Sequence, residues 1–124
     1  MARVYRGSCL CGGIRFEALG PALKPHTCSC KMCQHHSGAV TLHWVEFPAD
    51  SVKWTGPGGK PRIWRSSDYS SRAFCGECGS TLGANDDKPV VALVLGVFDS
   101  NNRQELAPVS HSFAGKRPNW AKAE

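Results

Sequence analysis

Cys9-Leu10-Cys11-Gly12-Gly13-Ile14-Arg15-Phe16-Glu17 places two thiols one residue apart, follows them with a glycine pair, and ends in a run where apolar and charged side chains alternate. Alternation with a period of two is the pattern of a strand that turns one face to a core. The glycines tolerate the positive φ and close backbone approach that let two neighbouring sulfurs face one ion. Cys75-Gly76-Glu77-Cys78-Gly79 repeats the device later in the chain and reads as a zinc knuckle.

Outward from these two points the period-two signal continues in Val4 and Arg6, Val40 to Val45, Arg62 to Arg65 and the apolar run Val90 to Phe98. Turn signals separate the runs: Gly20-Pro21, Thr55 to Gly59 and Asn85-Asp86-Asp87. The expected fold is mainly β, with antiparallel strands and short connections, in one domain over residues 1–124. Lys31 to Ser37 is the one stretch that could turn helical, and it is too short to stand without tertiary or metal support. The tail from Asn101 onward reads as irregular, with Trp120 packing back onto the body and the last residues loose.

Composition bounds the function. No stretch approaches the ~18 consecutive apolar residues of a membrane helix, and no signal-peptide run follows Met1 to Arg6, so the expected setting is soluble and cytoplasmic. In a reducing compartment, clustered cysteines favour metal over disulfides. The formal charge is +5 with every cysteine neutral. Seven thiolates around two divalent ions would lower it to +2, and no long block of like charges appears, which argues against nucleic acid as a partner. Trp44, Trp54, Trp64 and Phe74 are accordingly read as buried strand residues and not as platforms for bases.

All seven cysteines fall in clusters, the third being Cys28-Ser29-Cys30-Lys31-Met32-Cys33. Seven divides as four plus three. Structural zinc is closed by four protein ligands, while catalytic zinc keeps three and leaves a position for water or substrate. Cys9, Cys11, Cys75 and Cys78 make a closed set that staples the N-terminal strand to the middle of the chain. Cys28, Cys30 and Cys33 remain as a compact trio on one local turn, where an ion would be open to a fourth ligand. The alternative is a second closed site completed by His26, His35 or His36.

The three clusters in this order resemble the glutathione-dependent formaldehyde-activating enzyme family, which also includes the centromere protein V type proteins. The residues that carry the resemblance are Gly7 to Gly12 with Ile14-Arg15-Phe16, Cys28 to Cys33, and Phe74 to Leu82, joined by Pro108, His111, Pro118 and Trp120 in the tail. The resemblance implies an Mss4-like fold of coiled antiparallel sheets with zinc knuckles. It also implies two Zn²⁺ per chain: a structural ion on Cys9, Cys11, Cys75 and Cys78, and a second, catalytic or labile, on Cys28, Cys30 and Cys33. The activity it implies is that of a carbon–sulfur lyase joining formaldehyde and glutathione reversibly to S-hydroxymethylglutathione.

Three thiolates on a divalent ion leave a net −1, a soft centre better suited to sulfur exchange than to hydrolysis. A small thiol such as glutathione is therefore the expected partner. Its two carboxylates need cations, for which Arg62, Arg65, Arg72 and Lys31 are candidates, with Ser66, Ser67, Ser70 and Ser71 as hydroxyl donors. A methionine sulfoxide reductase on the same fold would need a nucleophilic cysteine in its C-terminal half, and no cysteine follows Cys78. The competing reading from another class is a non-catalytic zinc module that binds protein or nucleic acid, with both sites closed.

Overall fold

The chain, seen in a computed structural model that describes residues 3–121, runs through ten strands and one α-helix. In order these are β1 (Val4–Ser8), β2 (Arg15–Leu19), β3 (Leu23–Cys28), α1 (Lys31–Ser37), β4 (Leu42–Pro48), β5 (Val52–Trp54), β6 (Arg62–Arg65), β7 (Ser70–Phe74), β8 (Thr81–Asp86), β9 (Val90–Val94) and β10 (Ser110–Ser112). β1, β2 and β5 form a three-stranded antiparallel sheet. The other strands form a seven-stranded sheet in the order β10-β3-β4-β9-β8-β7-β6. Every pairing but that of β10 with β3 is antiparallel, in line with the mainly β, antiparallel fold expected.

Two expectations need correction. The tail is not wholly irregular, because β10 pairs parallel to β3 and His111 Nδ1 shares a 2.7 Å hydrogen bond with Thr27 Oγ1. Trp120 does not pack back onto the body: it is 77% exposed, in a short 3-10 turn at Asn119–Ala121. The expectation of loose last residues falls on 122–124, outside the described residues.

Alternation on the large sheet decides which side is core. Val45 and Phe47 of β4, with Val91 and Leu93 of β9, point to one face and join Tyr5, Phe16 and Ala18 of the small sheet in a single buried cluster. Removing such side chains from water is the main driving force, about 1.5–3 kcal/mol for each large one. Aromatic edges lock the two sheets together, with Phe16 and Phe98 ring centroids 5.3 Å apart and Tyr5 and Phe47 5.7 Å apart. Residues of the opposite parity, Leu42, Trp44 and Val94, face the other way with Ala84 and form a second cluster with Cys33. The large sheet thus separates a core face from a face that carries α1.

Candidate metal centre

The first cluster forms where β1 ends, beside the turn between β7 and β8. Cys9, Cys11, Cys75 and Cys78 bring their four sulfurs within 4.8 Å of one another. A tetrahedron with Zn–S bonds of ~2.3 Å has sulfurs ~3.8 Å apart. The observed separations are 3.6 Å for Cys9 to Cys11 and 3.8 Å for Cys11 to Cys75, so the donor set fits a divalent ion with thiolate preference. Gly12 and Gly79 sit at φ +80° and +81°, which gives both knuckles their left-handed turn. Backbone amides are aimed at sulfur: Ile14 N–H donates to Cys9 at 3.3 Å, and Glu77 and Cys78 N–H donate to Cys75 at 3.4 and 3.5 Å. Hydrogen bonds from Ser80 bring the Cys78 thiol down to about 5, which favours the thiolate a metal needs.

The second cluster straddles the end of β3 and the start of α1. Cys28, Cys30 and Cys33 also hold their sulfurs within 4.8 Å, and no histidine, aspartate or glutamate among the described residues joins that group. Cys30 is the N-cap of α1, its Sγ accepting from Cys33 N–H at 3.3 Å. Gly38 ends the helix at φ 80° with its N–H on Gln34 O. Burial pushes the Cys28 thiol up to about 12, helped by its neighbouring thiols. Burial works against Cys30 as well, but the Cys33 amide, the other two thiols and the charge of Arg72 outweigh it and hold that thiol low. Of the three, Cys30 is the thiol drawn toward its ionised form.

Arg72 supplies the adjoining positive charge. Its Nη1 donates to Cys33 Sγ at 3.6 Å and its guanidinium lies 5.3 Å from the Trp44 ring centroid. β7 lies toward the far side of the sheet, yet Arg72 is only 8% exposed because its side chain runs along the α1 face. Of the other cations considered for carboxylate binding, Arg65 is held by both oxygens of Asp87 at 2.8 and 2.7 Å and by the Asp68 carbonyl. Lys31 reaches Gln34 Oε1 at 3.4 Å, and Arg62 lies exposed opposite Phe74. None of these three lines the cavity over the trio. Among the serines, Ser70 lines it. Ser66 lines the neighbouring cleft, Ser67 caps a turn at Tyr69 N–H, and Ser71 opens onto a separate cavity with Trp54.

The trio opens into a cavity of about 170 Å³ that also meets His26, Trp44, Glu46, Asp86 and Phe113. Arg72 separates it from a larger cleft of about 460 Å³ lined by Met32, His35, His36, Trp64, Ser66 and Phe74. His26 thus borders the trio, with its Nδ1 taken up by Lys24 O at 2.7 Å, while His35 and His36 face the cleft instead. Trp64, read as a buried strand residue, is 69% exposed, because β6 is the edge of the sheet. Sequence reasoning passed over Glu46 and Asp86. Their place beside the trio depends on strand register, and no local pattern marks it.

Fold and site together define a mainly β protein with two separate cysteine clusters that could each hold a metal ion, one with four sulfurs and one with three. The glutathione-dependent formaldehyde-activating enzyme family matches residues 4–116 of this chain, and the chain belongs to that family. An uncharacterized lyase of Schizosaccharomyces pombe is 31% identical over 78 residues, which cover 63% of this chain and 55% of that protein. The match thus spans about half of that relative's length. A crystal structure of a Rhodobacter sphaeroides protein superposes with a TM-score of 0.66 at 17% identity, over 86% of this chain and 99% of that one, a likeness of fold. Among the described residues, no helix is long and apolar enough to cross a membrane.

Proposed function

We propose that this chain is a zinc-dependent carbon–sulfur lyase acting on a small thiol adduct such as S-hydroxymethylglutathione. In this reading Cys9, Cys11, Cys75 and Cys78 hold a structural ion, and Cys28, Cys30 and Cys33 hold a second one at the reaction site. The observation that carries it is the convergence of three sulfurs, with no fourth donor among the described residues, at the floor of a cavity. Family membership and the lyase name of the yeast relative support the reaction class. A purely binding module would call for a second closed site, and His26, His35 and His36 stand outside the sulfur group.

The reaction needs a thiol and an aldehyde to meet: a C–S bond forms, and the thiol proton ends on the new hydroxyl oxygen. A zinc ion held by three thiolates would lower the pKa of an incoming thiol and polarise an aldehyde oxygen. The residues of the chain do the rest. The three cysteines present their sulfurs to one point, and α1 aims the Cys33 amide at Cys30. Arg72 sets a fixed positive charge against the anionic trio. Trp44, Leu42 and Val94 form an apolar base under the trio, which keeps water from one side and strengthens each charge interaction.

The test is the rate at which formaldehyde and glutathione exchange with their adduct, followed by two-dimensional exchange NMR on zinc-loaded protein. The proposal expects acceleration over the uncatalysed exchange, and its loss in Cys30→Ser and Cys33→Ser. An exchange rate identical to buffer, with both metals bound, would remove the reading.

A further inference from the structure

On the α1 face of the large sheet, one row of paired residues runs Glu46, Ala92, Ala84, Arg72 across β4, β9, β8 and β7. Two methyl side chains between two long charged ones leave a trough. At ~4.8 Å per strand step, the backbones of Glu46 and Arg72 stand roughly 14 Å apart, and the Arg72 guanidinium reaches back to 5.3 Å from the Trp44 ring centroid. The trough joins the cavity over the trio to a second one of about 130 Å³, and Glu46, Ala84, Asp86 and Ala92 line both. Lys24, Lys88 and Val90 complete the second cavity.

The charges in it are unspent. The salt bridges of the protein, such as Arg65–Asp87 and Arg6–Glu17, lie elsewhere. The side chains of Lys24, Glu46, Asp86 and Lys88 make no hydrogen bond or ion pair with any described residue. Lys24 is held at φ +47° beside a register shift in β3, a conformation that a non-glycine residue adopts at a cost. At the opposite end Arg72, more than nine-tenths buried, lines the trio cavity with an Nε that has no partner. Such a buried donor calls for an acceptor that the chain itself does not provide.

We propose that the cavity of Lys24, Glu46, Asp86 and Lys88 binds the free α-amino-acid end of the thiol substrate. The two carboxylates take its ammonium and the two lysines its carboxylate, while a second carboxylate at the far end reaches Arg72. A volume of about 130 Å³ holds several waters and has room for an amino-acid head group. The four-strand span from Glu46 to Arg72, shortened by the reach of the Arg72 guanidinium toward Trp44, suits a short peptide thiol lying across the strands with its sulfur at the trio. This assignment rests on the lyase reading and adds to it a required feature of the substrate, an unblocked ammonium.

The experiment is calorimetric titration of zinc-loaded protein with glutathione and with N-acetylglutathione, on wild type and on the Glu46→Gln/Asp86→Asn double variant. Neither side chain has a partner in the fold, so zinc content and thermal midpoint should match wild type, and both are measured. In wild type, N-acetylation should weaken binding at least about tenfold, the size of a lost charge-assisted contact. In the double variant the gap should shrink to below about threefold. Equal binding of the two thiols by wild type overturns the assignment and leaves the lyase reading standing. A wide gap that survives in the double variant overturns the part given to Glu46 and Asp86. No binding of either thiol at millimolar concentration overturns both readings.

Discussion

Among the described residues Arg72 is the one charged side chain that is buried, and its surroundings explain how that is tolerated. The Cys33 sulfur accepts a hydrogen bond from it on one side, and the electron-rich face of Trp44 lies on the other. Outer partners of this kind shift metal affinity by roughly 10- to 100-fold. Arg72→Met should therefore weaken metal binding at Cys28, Cys30 and Cys33 by about tenfold in chelator competition, while Arg72→Lys keeps part of it. Unchanged affinity in Arg72→Met would contradict this role. His36 offers a pH prediction. Burial, with the nearby Arg72 charge, holds its imidazole down at about 4, and both ring nitrogens are shielded without a partner. The unfolded chain takes up that proton near pH 6.5, so between the two values the unfolded state binds more protons. The contribution is fully present above the unfolded value and is lost as pH falls toward 4. The difference in thermal midpoint between wild type and His36→Gln should narrow over that window, and parallel curves would contradict it. At this scale the cysteines were legible, because spacing alone brings two sulfurs to one ion. Glu46 and Asp86 were not, since their meeting with the trio is a matter of pairing between distant strands.

α1 is an element of seven residues, below the length at which a helix persists alone. Its N-cap and its one buried residue, Cys30 and Cys33, are both members of the trio, so ion binding and helix formation should be coupled. Stripping metal from the trio should speed hydrogen exchange at the Gln34 and Gly38 amides, which bond to Cys30 O and Gln34 O, and leave β4 and β9 protected. Equal protection with and without metal would show that α1 stands on packing alone. In the sheet, a Cβ added at Gly83 of β8 would meet the Ala92 carbonyl oxygen at 2.5 Å. Backbone cannot yield as a side-chain tip can, so Gly83→Ala should destabilise the fold by about 1–3 kcal/mol in urea denaturation. A change within error would mean the strands can separate there at little cost. The alternating strands and α1 were readable from pattern. β3 was not, because Pro25 and a register shift interrupt it. β7 was not either: Ser70-Ser71-Arg72 looks like a surface turn until the sheet buries both of its faces.

At the scale of the molecule, two sheets share one core and each metal cradle sits at a different boundary. The four-cysteine set ties the end of β1 to the turn after β7, residues far apart in sequence, and sits against Ile14, Ala73 and Leu82. Losing it should loosen the whole fold. The three-cysteine set joins the end of β3 to the start of α1, on the face of the large sheet turned away from the main core, so the fold should survive its loss. That separation is the central claim, and metal stoichiometry tests it most directly. Zinc per chain, counted by native mass spectrometry, should be two in wild type and one in Cys30→Ser, with far-ultraviolet circular dichroism and thermal unfolding still cooperative. Two ions retained in Cys30→Ser, or a variant that loses both ions and its fold together, would contradict separate structural and functional sites.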